Sequence, residues 1–425
     1  MKVLLVMVEF PYPPDAGGRG DTWSRLRALN RLGHSIDAIV MQQKLVPKNQ
    51  HVAEMRRFVN SLSFVARRPL RKSLTTTVPT MVALNKTLAT LQLREQYDIT
   101  LAESERVSSI FENPTLHTRI RALRVQNTES RYMWLNARTE ETFLRRQFCR
   151  LEALRFVPLS RSVYRRMDSL WFISKSELQK FMASSPKSAA KAVWLPASIV
   201  FGDKPEERRF DSKRVLWIAS LNNSLNREGL RWYLKHIHPH LCQDPDYELL
   251  VAGSTSGRAS AYRFVNELQQ QNRCSVHVDV DDLTDVYNGC AVFINPMQRG
   301  TGVKVKNIHA IERGVPVVTT SVGNDGSGFV DKEHVRVADT PAAFESAVSE
   351  LFNNEILREQ MAARAYGYLR KNYDCEANIQ RLLTSLVPET VHSENDRIPS
   401  CPKEVPHEPY NVSSIVAHGR SVRSE

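Results

Sequence analysis

The chain has 425 residues, 42% hydrophobic and 24% charged, with a formal net charge of +12. That length exceeds one ordinary core and predicts two domains of a soluble globular protein, with no apolar run near the ~18–20 residues of a spanning helix. The six cysteines (Cys149, Cys242, Cys274, Cys290, Cys375 and Cys401) include no CxxC pair, so neither a disulfide framework nor a zinc site is expected, and a reducing cytoplasm is.

In chain order, the apolar run at residues 3–8 reads as a first buried strand. Glu9 and prolines follow it where a signal peptide needs a small-residue cleavage site. Beyond Pro11-Tyr-Pro-Pro-Asp-Ala-Gly-Gly-Arg-Gly20, the residues Trp23, Leu26, Leu29 and Leu32 recur at near-helical spacing until Gly33 stops them. Further strand-like runs lie at 36–41, 99–102, 122–125 and 170–173.

Two basic clusters punctuate this half, from Met55-Arg-Arg57 through Arg67-Arg-Pro-Leu-Arg-Lys72, and from Arg145-Arg146 through Arg165-Arg166. Phe58, Leu62, Phe64 and Val65 interleave the first. Residues 1–200 hold 32 Lys+Arg against 16 Asp+Glu, and the remainder 26 against 30. The clusters suit peripheral contact with an anionic membrane, at the inner face of the cell membrane; ordinary solvated helix faces are the alternative. Nucleic acid is not an expected partner, because no nucleic-acid motif occurs.

Polar, turn-forming Gly202-Asp-Lys-Pro-Glu-Glu-Arg-Arg209 marks a linker over 196–213, between a first domain at 1–195 and a second at 214–387. Runs at 215–219, 248–252, 275–280, 292–295, 315–320 and 335–338 fill the second half. Strands alternating with helical patterns predict two doubly wound α/β domains with parallel sheets. Residues 388–425, rich in Pro, Ser, His and Glu, read as a disordered tail.

The most informative stretch is Arg299-Gly-Thr-Gly-Val-Lys-Val-Lys306, which follows a strand-like run and opens a helix over 303–312 closed by Gly314. Gly300 and Gly302 let the backbone approach a ligand, and free N–H groups at a helix start favour an anion. Arg299, Lys304 and Lys306 add three cations, a match to a nucleotide diphosphate. A merely solvated basic loop is the alternative.

Taken together, the motifs resemble the GT-B glycosyltransferases, in particular the retaining family 4 enzymes, over roughly residues 1–385. The residues that carry this are the P-Y-P-P-x-x-G-G loop at 11–18, Val215-Leu-Trp-Ile-Ala-Ser-Leu with Asn226-Arg-Glu-Gly-Leu-Arg-Trp232, Asp281-Asp-Leu-Thr-Asp-Val-Tyr287 with Ala291-Val-Phe-Ile-Asn-Pro296, and the 299–323 segment ending Gly314-Val-Pro-Val-Val. The resemblance implies two Rossmann-like domains facing each other across a cleft, a nucleotide-sugar donor on the second and a lipid-linked or glycan acceptor on the first. It implies sugar transfer without a metal ion or other cofactor. Donor and phosphate contacts would fall to Gly17, Gly18, Arg19, Asn226, Arg299, Gly300, Thr301, Gly302, Lys304 and Lys306, and His309 would reach the ribose or sugar.

The sequence also departs from that family. Thr301 and His309 stand where paired glutamates eight residues apart bracket the donor, with Glu312 three residues beyond. In Arg124-Val-Gln-Asn-Thr-Glu-Ser-Arg131, matching V-H-N-x-E-S, Gln126 replaces the histidine near the reacting carbon while Asn127 and Glu129 remain. Glutamine hydrogen-bonds there but exchanges no proton near neutral pH. Gln126 and Glu129 are the catalytic candidates. A GT-B-like protein that has lost catalysis and serves as a binding or scaffolding partner is the second reading.

Overall fold

The computed structural model describes residues 1–14, 17–42, 47–70, 76–140, 142–201, 213–280 and 282–386. Residues Met1–Leu386 form one compact unit. The expected tail, and residues 202–212 of the expected linker, lie outside the described residues.

Seven strands make the first sheet: β1 (Lys2–Met7), β2 (Ser35–Met41), β3 (Ser61–Val65), β4 (Gln96–Ala102), β5 (His117–Val125), β6 (Ser169–Phe172) and β7 (Ala192–Trp194), in the order β3-β2-β1-β4-β5-β6-β7. A second sheet holds β8 (Arg214–Ile218), β9 (Glu248–Gly253), β10 (Cys274–Val278), β11 (Cys290–Asn295), β12 (Val317–Thr319) and β13 (Arg336–Val337), in the order β10-β9-β8-β11-β12-β13. Every named pairing is parallel. Helices cover both faces of such a sheet, so its central strands are apolar without alternation. Val3, Leu4, Leu5, Val6 and Met7 are all buried, as are Ala291, Val292, Phe293 and Ile294.

In both sheets the strand order reverses between the first strand and the fourth, and the loops leaving their carboxyl ends flank that crevice. This is what positions the site. The loop after β1 leads into the helix Gly17–Arg31, β5 into the helix Glu129–Thr139, and β11 into the helix Val305–Glu312. Gly314, at φ +69°, stops the last of these, two residues shorter at its start than the sequence predicts.

Three features were not foreseen. The first basic cluster contains the edge strand β3: Val65 is buried, and Phe58 and Leu62 pack against the first core, with Phe58 set edge-on to Trp23 at 5.4 Å. Those three apolar residues therefore serve the fold, whereas Phe64 is 40% exposed; residues 71 and 72 of that cluster lie outside the described residues. The second feature is the last helix, Cys375–Leu386, predicted to belong to the second domain. Cys375, Ile379, Leu382 and Leu383 instead join the core of the first sheet, and Arg31 pairs with Glu376 at 2.8 Å. Third, the two chain crossings lie side by side, with Ile199 bridged to Asp374. Among the described residues, no helix is long and apolar enough to cross a membrane.

Candidate functional site

The first sheet's crevice rests on a buried charge network. Asp21 receives Arg25 at 3.0 Å and Arg124 at 3.0 Å, and Arg25 also donates from Nε to Glu103 at 2.8 Å. All four side chains are nearly inaccessible. Burial alone raises a carboxyl's pKa, but Arg124 and Arg25 hold Asp21 well below the usual carboxylate range. Arg124 further donates to the carbonyls of Leu195 and Pro196, and Asp21 accepts from the Ser198 amide at 2.7 Å. The network thus ties β5, the first helix and the crossing segment together.

Above it, Met7, Gly18, Arg19, Thr22, Glu103 and Gln126 line a small cavity of about 40 Å³. Arg19 pairs with Glu9 at 3.2 Å. The Gln126 side chain faces Gly18, where a Cβ would stand 3.5 Å from its Oε1. Glu129 is buried at the start of its helix and accepts from Arg106 at 2.8 Å.

Opposite lies the 299–306 loop, and the two domains meet closely there. A Cβ on Gly302 would fall 2.2 Å from Asn127 Oδ1, and one on Gly17 would stand 3.2 Å from Val305. Gly302 also sits at φ +69°, so glycine is required twice over. Asn127 and Val305 were not singled out as site residues in the sequence.

The three loop cations differ in what they do. Arg299 is half exposed and its Nε and Nη2 both donate to Glu228 Oε1, at 2.9 and 2.6 Å. Lys304 turns into its own loop, donating to the Gly302 carbonyl at 2.6 Å and the Thr301 carbonyl at 3.3 Å. Burial lowers its pKa to about 8, with Asp325 and Glu177 acting the other way. Lys306 donates to Asn226 Oδ1 at 3.2 Å and lies 5.7 Å from the Trp217 ring centre. Its side chain is partly accessible, yet enclosure of the ammonium, together with the charge on Lys304, lowers its pKa to about 7. No carboxylate pairs with Lys306 among the described residues. An enclosed ammonium without a counter-charge is suited to an anionic ligand. Lys304 braces the loop, and Lys306 is the cation left for a ligand.

Asn226 also donates to the Ser220 carbonyl at 3.0 Å, and Arg227 donates to the Leu221 carbonyl at 2.7 Å. His309 is half exposed with Nδ1 3.1 Å from Glu312, so the histidine and the glutamate three residues beyond it bind each other. Gly300 and Thr301 line a second cavity, of about 570 Å³, with Arg131, Trp134 and Arg138 of the helix after β5. The sequence reading missed this wall. Its signal was present in the Arg-Tyr-Met-Trp run after the V-Q-N-x-E-S segment.

Comparison with known proteins agrees with this layout. Residues 212–354 match the family model described as Glycosyl transferases group 1. S. aureus TarM, solved with fondaparinux, alpha-GlcNAc-glycerol and UDP, superposes with a TM-score of 0.66 at 9% identity, covering 91% of this chain and 100% of that one. Sucrose-phosphate synthase from Thermosynechococcus elongatus gives 0.64 at 15% identity, covering 91% and 99%. This chain has the GT-B fold. Anabaena HepE, solved with UDP-glucose, shares the GT-B architecture at TM-score 0.62 and 11% identity, over 91% of this chain and 99% of that one. In sequence, an uncharacterized 44.6 kDa protein in the cps region of Klebsiella pneumoniae is 29% identical over 383 residues, 88% of this chain and 96% of that protein.

Proposed function

We propose that this GT-B protein transfers a sugar from a nucleotide-sugar donor to a lipid-linked or glycan acceptor, in the assembly of a surface polysaccharide or glycoconjugate. The observation that carries the reading is Lys306: an enclosed ammonium with no opposing carboxylate among the described residues, at the end of a glycine loop on the strand-reversal crevice. The group 1 glycosyl transferase match over 212–354 supports the reaction class, and the relative from a cps region supports the setting.

In this proposal Lys306 and the N–H groups opening the helix Val305–Glu312 offset charge on the departing diphosphate, so no metal ion is needed. Gln126 and Asn127 face the loop from the first domain and orient donor or acceptor hydroxyls. The new bond forms between an acceptor oxygen and the anomeric carbon on the face that the diphosphate leaves, giving retention. The acceptor proton passes to a diphosphate oxygen.

A second reading, a GT-B protein that binds nucleotide without turnover, is favoured by one observation. His309 is occupied with Glu312, and neither Thr301 nor Gln126 can titrate. Purified protein scanned over UDP-, GDP- and ADP-sugars, with and without an acceptor panel, separates the two. Turnover of one donor is the expected result. Binding without turnover selects the second reading, and binding of no nucleotide refutes both.

A further inference from the structure

Between residues 129 and 166 the surface is more apolar than a solvated helix pair requires. Trp134, Phe143, Leu144, Phe148, Leu151 and Leu154 are each between 41% and 77% exposed. Leu144, Phe148 and Leu151 follow the spacing that puts side chains on one stripe of the helix Phe143–Arg166. The same helix already buries Ala153, Phe156, Val163 and Tyr164 in the protein core. A helix that is apolar on both sides is normally covered on both.

Charge identifies what covers the outer side. The segment carries nine arginines and no lysine or aspartate, against four glutamates. Two of those glutamates serve the interior: Glu129 holds Arg106, and Glu152 accepts from the backbone and hydroxyl of Thr80. Arg138, Arg150, Arg161 and Arg165 are exposed and pair with no carboxylate among the described residues. A second copy of this face would set arginine against arginine, whereas an anionic bilayer accepts both the apolar stripe and its basic flanks.

The stripe also adjoins the site. The helix that carries it packs against the helix Glu129–Thr139, whose Trp134 is exposed and lines the 570 Å³ cavity with Arg131, Arg138, Gly300 and Thr301.

We propose that the 129–166 helical pair is the docking surface for an anionic lipid bilayer, placing a lipid-anchored acceptor at the mouth of that cavity. What the membrane presents there rests on the transferase reading; the docking itself does not.

Full-length protein is sedimented with vesicles of phosphatidylcholine alone and with about a third phosphatidylglycerol, at about 0.1 M salt. The expected result is partition into the anionic vesicles only, reduced about tenfold or more in the Leu144→Glu/Phe148→Glu/Leu151→Glu variant and similarly in Arg150→Glu/Arg161→Glu. Nucleotide affinity and melting temperature of the same variants check that they are folded, and both should match the parent. Equal partition of parent and variants overturns the proposal, as does absence of partition. Light scattering that shows a dimer dissociated by the triple substitution overturns it in favour of a second copy. Failure of all nucleotides to bind, with partition intact, removes the transferase reading and leaves the docking surface standing.

Discussion

Lys306 gives the sharpest prediction, because its protonation and its function are linked. With a pKa lowered to about 7, the ammonium is charged below that pH and neutral above it. A diphosphate needs the charged form, so each binding event above pH 7 takes up a proton. The apparent Kd then rises in proportion to 1 + 10^(pH − 7), about twofold above its limit at pH 7 and about a hundredfold at pH 9. Between those two values affinity should fall roughly fiftyfold. Ionisation of the terminal phosphate, complete at about pH 7, acts in the opposite direction and cannot produce such a fall. Calorimetry with the nucleoside diphosphate of the preferred donor, at pH 7, 8 and 9, measures it. In two buffers of different protonation enthalpy it also counts the proton taken up. Lys306→Met should bind more weakly by about 1.5–3 kcal/mol at pH 7 and lose the slope. Stability should move the other way. A lysine whose ammonium is disfavoured in the fold costs native stability most below about pH 7, and that cost fades as the pH rises to 10.5, so Lys306→Met should stabilise the ligand-free protein by about 1–2 kcal/mol at pH 7. That figure is discounted from the full shift because the side chain is partly accessible. A parent affinity that is flat from pH 7 to 9 refutes the assignment.

Two further substitutions test the frame around that lysine. Gly302→Ala forces an L residue into φ +69° and a Cβ to within 2.2 Å of Asn127 Oδ1, so nucleotide affinity should fall about tenfold while the melting temperature changes by only a few degrees; unchanged affinity would mean the two loops need not meet. Asp21→Asn leaves Arg25 and Arg124 buried without their shared charge and should cost about 3–5 kcal/mol in urea unfolding, and a loss under about 1 kcal/mol would show that water or another carboxylate compensates.

Most of the architecture was legible because it is written locally. Each expected strand run lies at or within two residues of an observed strand: residues 3–8 against Lys2–Met7, 36–41 against Ser35–Met41, and 292–295 inside Cys290–Asn295. Buried parallel strands are continuous apolar runs, a signal that survives without knowledge of partners. What failed was non-local. β7 is three residues long, β3 is an edge strand with one buried residue, and the return of Cys375–Leu386 to the first sheet depends on contacts with residues more than 300 positions away. The site follows the same division. The Gly-Thr-Gly spacing announced a tight loop, but not that Glu228, 71 residues earlier, holds Arg299, nor that Lys304 folds back on the loop's own carbonyls. Three cations in a row looked equivalent in sequence, and only their partners separate them.

The replacement of histidine by Gln126 bears on where the acceptor proton goes in the proposed transfer. Candidate bases near that residue can be examined one by one. Glu129 is ion-paired to Arg106, and Glu103 to Arg25 with Thr22 also donating at 3.4 Å. Burial raises Glu105 to about 7, against the pull of Ser160 and Tyr164, which makes it basic enough in principle. Yet one of its oxygens accepts from Ser160 at 2.6 Å and the other from Tyr164, and its side chain is buried. Glu9 lines the same cavity as Gln126 and is ion-paired to Arg19 at 3.2 Å. With these carboxylates engaged by their partners, the proposed transfer hands the acceptor proton to an oxygen of the leaving diphosphate. In that proposal the oxygen leaves on the face the acceptor approaches, so proton acceptance by the leaving group and retention of configuration go together.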